Sequence, residues 1–216
     1  MQKLKDLLLE IRAQALPRFL LGIAGPPGSG KSTLAELTCR IWNEEINTTT
    51  CGAASIVPMD GYHHSNEELL QMGLLHLKGI PATFDSQSFI KKLKEIQSQP
   101  HKTHYCPRFD RSIEASVADD ISVTPEHKVV IVEGNYLLLD EAPWDELSTI
   151  FNSIWYIDAS ESVLLPRLLS RHQAAGKDSA KAREKVESTD LPNARLVEKT
   201  KTRADKILTA EELMLR

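Results

Sequence analysis

The chain has 216 residues, 41 % hydrophobic and 26 % charged, proportions that fit one α/β domain with a sizeable core and exclude a disordered or fibrous chain. A net charge of −4 argues against a dedicated nucleic-acid binder, although it leaves room for a local basic patch. No stretch approaches the ~20 apolar residues of a membrane span, and three unpatterned cysteines (Cys39, Cys51, Cys106) fit a reducing cytoplasm better than a disulfide framework.

Residues 1–15 place Leu4, Leu7, Leu8 and Ile11 among charged neighbours, the pattern of an amphipathic helix packed on a domain rather than of a signal peptide. Residues 19–24 are uncharged and apolar, as a buried parallel strand should be. Gly25-Pro26-Pro27-Gly28-Ser29-Gly30-Lys31-Ser32 then matches the phosphate-binding pattern G-x-x-x-x-G-K-[ST], with Thr33 following. Leu34, Leu37 and Ile41 recur at helical spacing, so the loop joins a strand to a helix reaching about Asn43. Glycines 25, 28 and 30 let several backbone N–H groups turn into one concavity, and the helix that follows adds its positive end. Lys31 suits the β- and γ-phosphates of ATP, and the Ser32 hydroxyl suits a magnesium ion.

After a connection at Asn47–Thr50, residues 54–59 read as a second strand ending at Asp60-Gly61, with Pro58 near its end. Helices are expected at 66–76 and 86–98, the latter capped by Asp85 or Ser86. Residues 100–127 lack a long periodic pattern and read as a loop or small subdomain. His101, His104 and Cys106 lie close together there, but without a second ligand pair they read as loop residues rather than a metal cluster. Lys128–Val132 is the clearest internal strand, followed by Glu133-Gly134-Asn135, and another strand falls at 153–158. A helix over 161–174, whose start Pro166 restricts, ends at Gly176. Helices near 179–187 and 194–204 and an edge strand at 207–208 complete the chain. Strands alternating with helices predict a parallel sheet with right-handed crossovers.

Ligands of such sheets sit at the carboxyl ends of the strands, where the phosphate loop, Asp60 and Glu133 all fall. Glu133 follows its apolar strand in the Walker B manner and is assigned, with Ser32, to magnesium. Asp60 is the candidate base that accepts a proton from an attacking hydroxyl. Arg167 and Arg171, four apart on one helix face beside the Gly176 hinge, are placed to neutralise phosphate charge, with Arg171 nearer the mobile end.

Further stretches carry a resemblance. They are Pro58-Met-Asp-Gly-Tyr-His-His64, Lys78-Gly-Ile-Pro-Ala-Thr-Phe-Asp85, Pro107-Arg-Phe-Asp-Arg-Ser-Ile-Glu114, residues 129–140, Arg167-Leu-Leu-Ser-Arg-His172 and residues 190–197. In this order, over residues 18–208, the chain resembles the uridine kinase, phosphoribulokinase and bacterial pantothenate kinase group of P-loop kinases. Within it, the likeness is to a bacterial branch labelled nucleoside/nucleotide kinase or fructokinase-like. The resemblance implies a P-loop NTPase fold, an α/β architecture with about five parallel strands, helices on both faces and a helical lid. It implies one domain over 1–216, with an acceptor-side insertion at about 61–127 and a lid at about 167–193. It implies that Asp60 is the catalytic aspartate, that His63, His64, Asp85, Arg108, Asp110, Arg111 and Asn135 serve the acceptor, and that Asn193 lies near the adenine side or the lid base. Ala115-Ser116 departs from the pattern expected after Ile113-Glu114, which weakens a pocket role for 114–117.

The resulting expectation is an ATP- and magnesium-dependent enzyme that phosphorylates a hydroxyl of a small metabolite such as a nucleoside, a sugar or a pantothenate-like acid. The alternative is a nucleotide-dependent ATPase switch without an acceptor. A pocket mixing Asp, His and Arg suits a neutral polyol or a single carboxylate, and the reading leans to the neutral acceptor. No nucleic-acid or membrane partner is expected, the location is cytoplasmic, and a homodimer is left open.

Overall fold

The computed structural model describes residues 1–47, 52–209 and 212. The connection expected over Asn47–Thr50 therefore lies outside the described residues beyond Asn47, as does Cys51.

Five parallel strands form the central sheet: β1 (Phe19–Ala24), β2 (Ala53–Pro58), β5 (His127–Gly134), β6 (Ser153–Asp158) and β7 (Lys206–Thr209), in the spatial order β2-β5-β1-β6-β7. The continuous apolar runs of β1 and β5 follow from burial on both faces. Leu20, Val130 and Val132 point into one core, and Leu21, Ile23, Val129 and Ile131 into the other. Helix α1 (Gln2–Ala13) and helix α2 (Lys31–Ile41) close the second core, where Leu4, Leu8 and Leu34 meet Trp42. Helix α4 (Ser86–Ser98) closes the first with Phe89 and Leu93, beside the buried Trp144.

Register brings the chemistry to one edge. Ala24 pairs with Gly134 and Pro58 with Glu133, so the loop after β1, Asp60 beyond β2 and Glu133 of β5 share the carboxyl ends of adjacent strands. The opposite edge is held by Arg18, whose guanidinium donates to the carbonyls of Ile96, Pro100, Thr124 and His127.

Three expectations change. Residues 100–127 hold a small substructure rather than an irregular loop: β3 (His104–Asp110) and β4 (Ala115–Val123) form an antiparallel hairpin. Their alternation is masked because exposed residues occupy most positions of β4 and only Val123 there is buried. His104 and Cys106 are buried by this hairpin, with His104 Nε2 3.0 Å from the Gln99 carbonyl, so they are not loop-surface residues. Helix α3 (Asn66–Gln71) is shorter than expected, because Gly73 adopts a positive φ just beyond it. The last helix starts early, α7 (Leu191–Glu198), with Pro192 in its first turn where no N–H is needed.

Helix α5 (Glu161–Ala174) contains Pro166 in its interior and does not start after it. It packs through Leu164 and Leu168 on Val186 and Ala194, a small core shared with α6 (Ser179–Lys185) and α7. No helix among the described residues is long and apolar enough to cross a membrane.

Candidate functional site

The phosphate loop follows β1 directly, and its conformation depends on glycine. Gly28 and Gly30 take φ values of 81° and 99°, a region that side chains with a Cβ rarely enter. Gly28 also leaves space for α5, because a Cβ there would lie 3.2 Å from Leu168. Arg167 Nη1 adds a bond to the Gly28 carbonyl at 3.3 Å, so α5 is rooted on the loop.

The loop is built for an oxyanion. Lys31, at the start of α2, is buried and donates from Nζ to the Pro26 carbonyl at 2.9 Å. Burial pulls its ammonium down to about 8, against the opposing pull of Glu133 and Asp60. Ser29 Oγ is buried without a hydrogen-bond partner. Such an orphaned hydroxyl, beside a buried cation and a helix N-terminus, fits a phosphate group.

Ser32 Oγ donates to Glu133 Oε1 at 3.0 Å. The carboxyl of Glu133 is pushed above the usual range, chiefly by burial and next by the nearby Asp60, while Lys31 pulls it back. A hydroxyl and a carboxylate side by side are hard oxygen donors, few in number. Magnesium favours such a set, because it keeps most of its ligands as water and phosphate oxygen.

One cavity of about 1070 Å³ connects these groups to Asp60 and onward to the 75–85 segment and the β3–β4 turn. A single drug-sized ligand needs roughly 300–1000 Å³, so there is room for two substrates. Asp60 sits just past β2, in a tight turn over Met59–Tyr62. Gly61 makes that turn possible: a Cβ there would lie 2.2 Å from the Pro107 carbonyl of the hairpin. Arg111 Nη2 approaches Asp60 Oδ2 at 3.5 Å. His63 Nδ1 lies 2.9 Å from the Asp60 carbonyl, and its ring is centred 3.9 Å from that of Phe84 and 5.2 Å from that of Phe109. Burial lowers its pKa, which keeps the ring neutral near pH 7.

Of the residues that the sequence singled out, Pro27, Gly28, Gly30, Lys31, Ser32, Thr33, Asp60, His63, Arg111, Glu133, Asn135, Arg167 and Arg171 line this one cavity. Pro26 instead lines a second cavity of about 380 Å³, bounded by Asp158, Ala159, Val163 and Leu164 at the end of β6 and by Ala194 of α7. Gly25 and Ser29 of the loop do not line the main cavity, nor do four of the residues expected to serve the acceptor. Asp85 caps α4 by accepting from the Ser88 N–H, and His64 lies 3.8 Å from Glu68 Oε2. Arg108 pairs with Asp120 across the hairpin, and Asp110 accepts from Ser112 in its turn. Asn193 also lines the cavity and donates to the Gly79 carbonyl at 3.0 Å.

Several groups escaped the sequence reading. Lys185 Nζ of α6 donates to the Lys78 carbonyl at 2.9 Å and the His76 carbonyl at 3.4 Å, and the Tyr136 hydroxyl also donates to Gly79. His172 Nε2 lies 2.6 Å from Asp190 Oδ2. Lys78, Lys177 and Glu114 also line the cavity. Lys78 stands in the Lys-Gly-Ile-Pro stretch, which was the available signal, but its role depends on contacts with residues 36 to 107 positions away.

No family model matches the chain. It is 35 % identical over 197 residues to a Schizosaccharomyces pombe protein described as a candidate uridine kinase, a match spanning 88 % of this chain and 83 % of the relative. A pantothenate kinase of Latilactobacillus sakei is 30 % identical over 166 residues, and the chain spans about half its length, 52 %. The crystal structure of a candidate fructose transport system kinase from Silicibacter sp. TM1040 superposes with a TM-score of 0.84 at 32 % identity, covering 95 % of this chain and 98 % of that one.

Proposed function

Because this chain belongs to the uridine kinase-like group of P-loop kinases, we propose that it moves the γ-phosphate of ATP to a hydroxyl of a small metabolite, with Asp60 as the base. The observation that carries this reading is the single cavity in which Lys31 and Ser32 face Asp60 across the sheet edge. A nucleotide switch needs the first two groups and has no use for the third.

Ser32 and Glu133 would hold magnesium, which supplies charge neutralisation at the phosphate oxygens. Lys31, Arg167 and Arg171 bind and orient the phosphates, and their positive charge favours the transition state more than the ground state. The acceptor oxygen forms its bond to the γ-phosphorus as the bond to the departing ADP oxygen breaks, and the hydroxyl proton passes to the Asp60 carboxylate. His63, neutral and packed at a tilt against Phe84, fixes the backbone of Asp60 and closes one wall against water. Arg111 orients the Asp60 side chain. Segment 167–193 acts as the lid and 61–127 as the acceptor-side insertion of one domain.

The test is Asp60→Asn. Transfer, read as ADP release stimulated by pooled metabolites, should fall by about 10²–10⁴ while the affinity for a magnesium-bound ATP analogue stays near normal. Full turnover in this variant refutes the base assignment. ADP release that no metabolite stimulates in the unaltered chain favours the switch.

A further inference from the structure

The acceptor half of the cavity carries more positive charge than a nucleotide donor requires. Seven Lys and Arg side chains line the whole cavity against four Asp and Glu, in a chain whose net charge is −4. A magnesium-bound nucleoside triphosphate contributes about two net negative charges, so the surplus is not cancelled by the donor alone. The distribution is also uneven. Lys31, Arg167 and Arg171 belong to the phosphate loop and the helix rooted on it. Lys78 belongs to the 75–85 segment, Arg111 to the β3–β4 turn, Lys177 to the stretch between α5 and α6, and Lys185 to α6.

Outside the phosphate loop and β5 the cavity holds three carboxylates, Asp60, Glu114 and Asp190, against the four cations Lys78, Arg111, Lys177 and Lys185. Asp60 is the base of the reading above, and Asp190 is bonded to His172. Lys78 Nζ has no carboxylate partner among the described residues: it donates to Asn66 Oδ1 at 2.7 Å and the Glu114 carbonyl at 3.1 Å, with the Phe109 ring 5.0 Å away. Those neutral acceptors aim the ammonium, and the Glu114 carboxylate favours its charge from farther away without bonding to it. Arg111 touches Asp60 through one nitrogen at 3.5 Å, which leaves most of its five donors for another group. Burial opposes the charge of Lys185 most, Asp190 favours it, and Lys177 and Lys78 oppose it further. Cations crowded together in a half-buried cleft are costly unless an anion joins them.

We infer that the acceptor carries an oxyanion, a phosphate or a carboxylate, received by Lys78 and Arg111. This rests on the kinase reading and reverses the sequence-based lean to a neutral acceptor. That lean gave weight to Asp85 and Asp110, which the fold uses as a helix cap and a turn acceptor, and it did not include Lys78, Lys177 or Lys185.

The experiment has two arms. First, the full chain is saturated with magnesium and a non-hydrolysable ATP analogue, then titrated calorimetrically with inorganic phosphate. Saturable binding is expected, weakened at least about tenfold in both Lys78→Ala and Arg111→Ala. Absent binding in the loaded chain, or affinity unchanged in both variants, overturns the inference. Second, coupled ADP release is measured with acceptor pairs differing only in charge: a hexose and its phosphate, a nucleoside and its monophosphate, a hydroxy acid and its amide. Higher kcat/KM for a charged member supports the inference, and the member turned over separates phosphate from carboxylate. Higher kcat/KM for the neutral members overturns it and leaves the kinase reading intact. Failure of the analogue to bind at all overturns the kinase reading itself. If no pair is turned over, the phosphate titration decides.

Discussion

Replacing Lys185 by Met should loosen the acceptor segment without unfolding the protein. The side chain keeps its length and apolar stem but loses the charge-assisted bond to the Lys78 carbonyl at 2.9 Å. Such bonds contribute roughly 1.5–3 kcal/mol, and the second contact, 3.4 Å to the His76 carbonyl on the exposed side, adds little. A loss of about 2 kcal/mol corresponds to a roughly 30-fold rise in the population of the opened segment. Hydrogen exchange reads this locally. The Ile80 and Thr83 amides, bonded to the Leu77 and Ile80 carbonyls, should exchange about 30-fold faster, and the Val130 and Ile131 amides of the central strand should not change. Asn193→Ala removes a neutral bond to the neighbouring Gly79 carbonyl, about 1 kcal/mol or fivefold, and the double variant should fall short of the product because both bonds hold one segment. Unchanged exchange at Ile80 and Thr83 in a folded Lys185→Met protein refutes the claim that α6 holds the segment.

Arg18→Met removes four bonds to carbonyls at the opposite edge of the sheet and should cost about 3–5 kcal/mol, seen as a fall in Tm of roughly 10 °C; a loss below about 1 kcal/mol refutes the anchoring role. His127 accepts the Thr124 N–H on Nδ1, and burial followed by Arg18 lowers its pKa, so the folded state favours the neutral ring. Its contribution is complete above the ordinary histidine value of about 6.5 and is lost as pH falls through the lower folded-state value; the Tm difference between the unaltered chain and His127→Gln should therefore shrink on acidification, and a difference independent of pH speaks against the assignment. Gly61→Ala puts a Cβ 2.2 Å from a backbone oxygen of the hairpin, which must displace the Asp60 turn or β3; circular dichroism should show a folded protein destabilised by about 2–4 kcal/mol, and unchanged stability would mean that the turn and hairpin separate freely.

The donor half of the site was legible because its chemistry is local. Eight consecutive residues make the phosphate loop, and the apolar runs of β1 and β5 show where its neighbours end, so Lys31, Ser32, Asp60 and Glu133 could be placed on one sheet edge from the sequence. The acceptor half resisted for a physical reason. Asp85 and Asp110 stand in motifs that look chemical, yet a cap and a turn satisfy them within three residues. Lys78 and Lys185 look like ordinary surface lysines, yet they meet the cavity through partners over thirty residues away. Charge type was readable from the chain, but charge direction depended on a hairpin whose exposed face hides its alternation.

This difference bears on how hydrolysis by water is avoided. Arg167 fixes the base of α5 to the phosphate loop whether or not an acceptor is present. The far side of the same helical segment is bonded through Lys185 and Asn193 to the carbonyls of His76, Lys78 and Gly79, and the Lys78 side chain of that stretch lines the cavity. In the lid role proposed above, a helical segment hinged on the phosphate loop and latched on residues 76–79 would close most firmly when both are ordered. Loosening the latch should therefore raise acceptor-independent ADP release relative to transfer, since water enters where the closed wall stood. Lys185→Met should shift that ratio, and Arg18→Met, which acts at the other edge of the sheet, should leave it unchanged while lowering stability. Equal ratios in both variants would show that the latch holds structure alone and takes no part in excluding water.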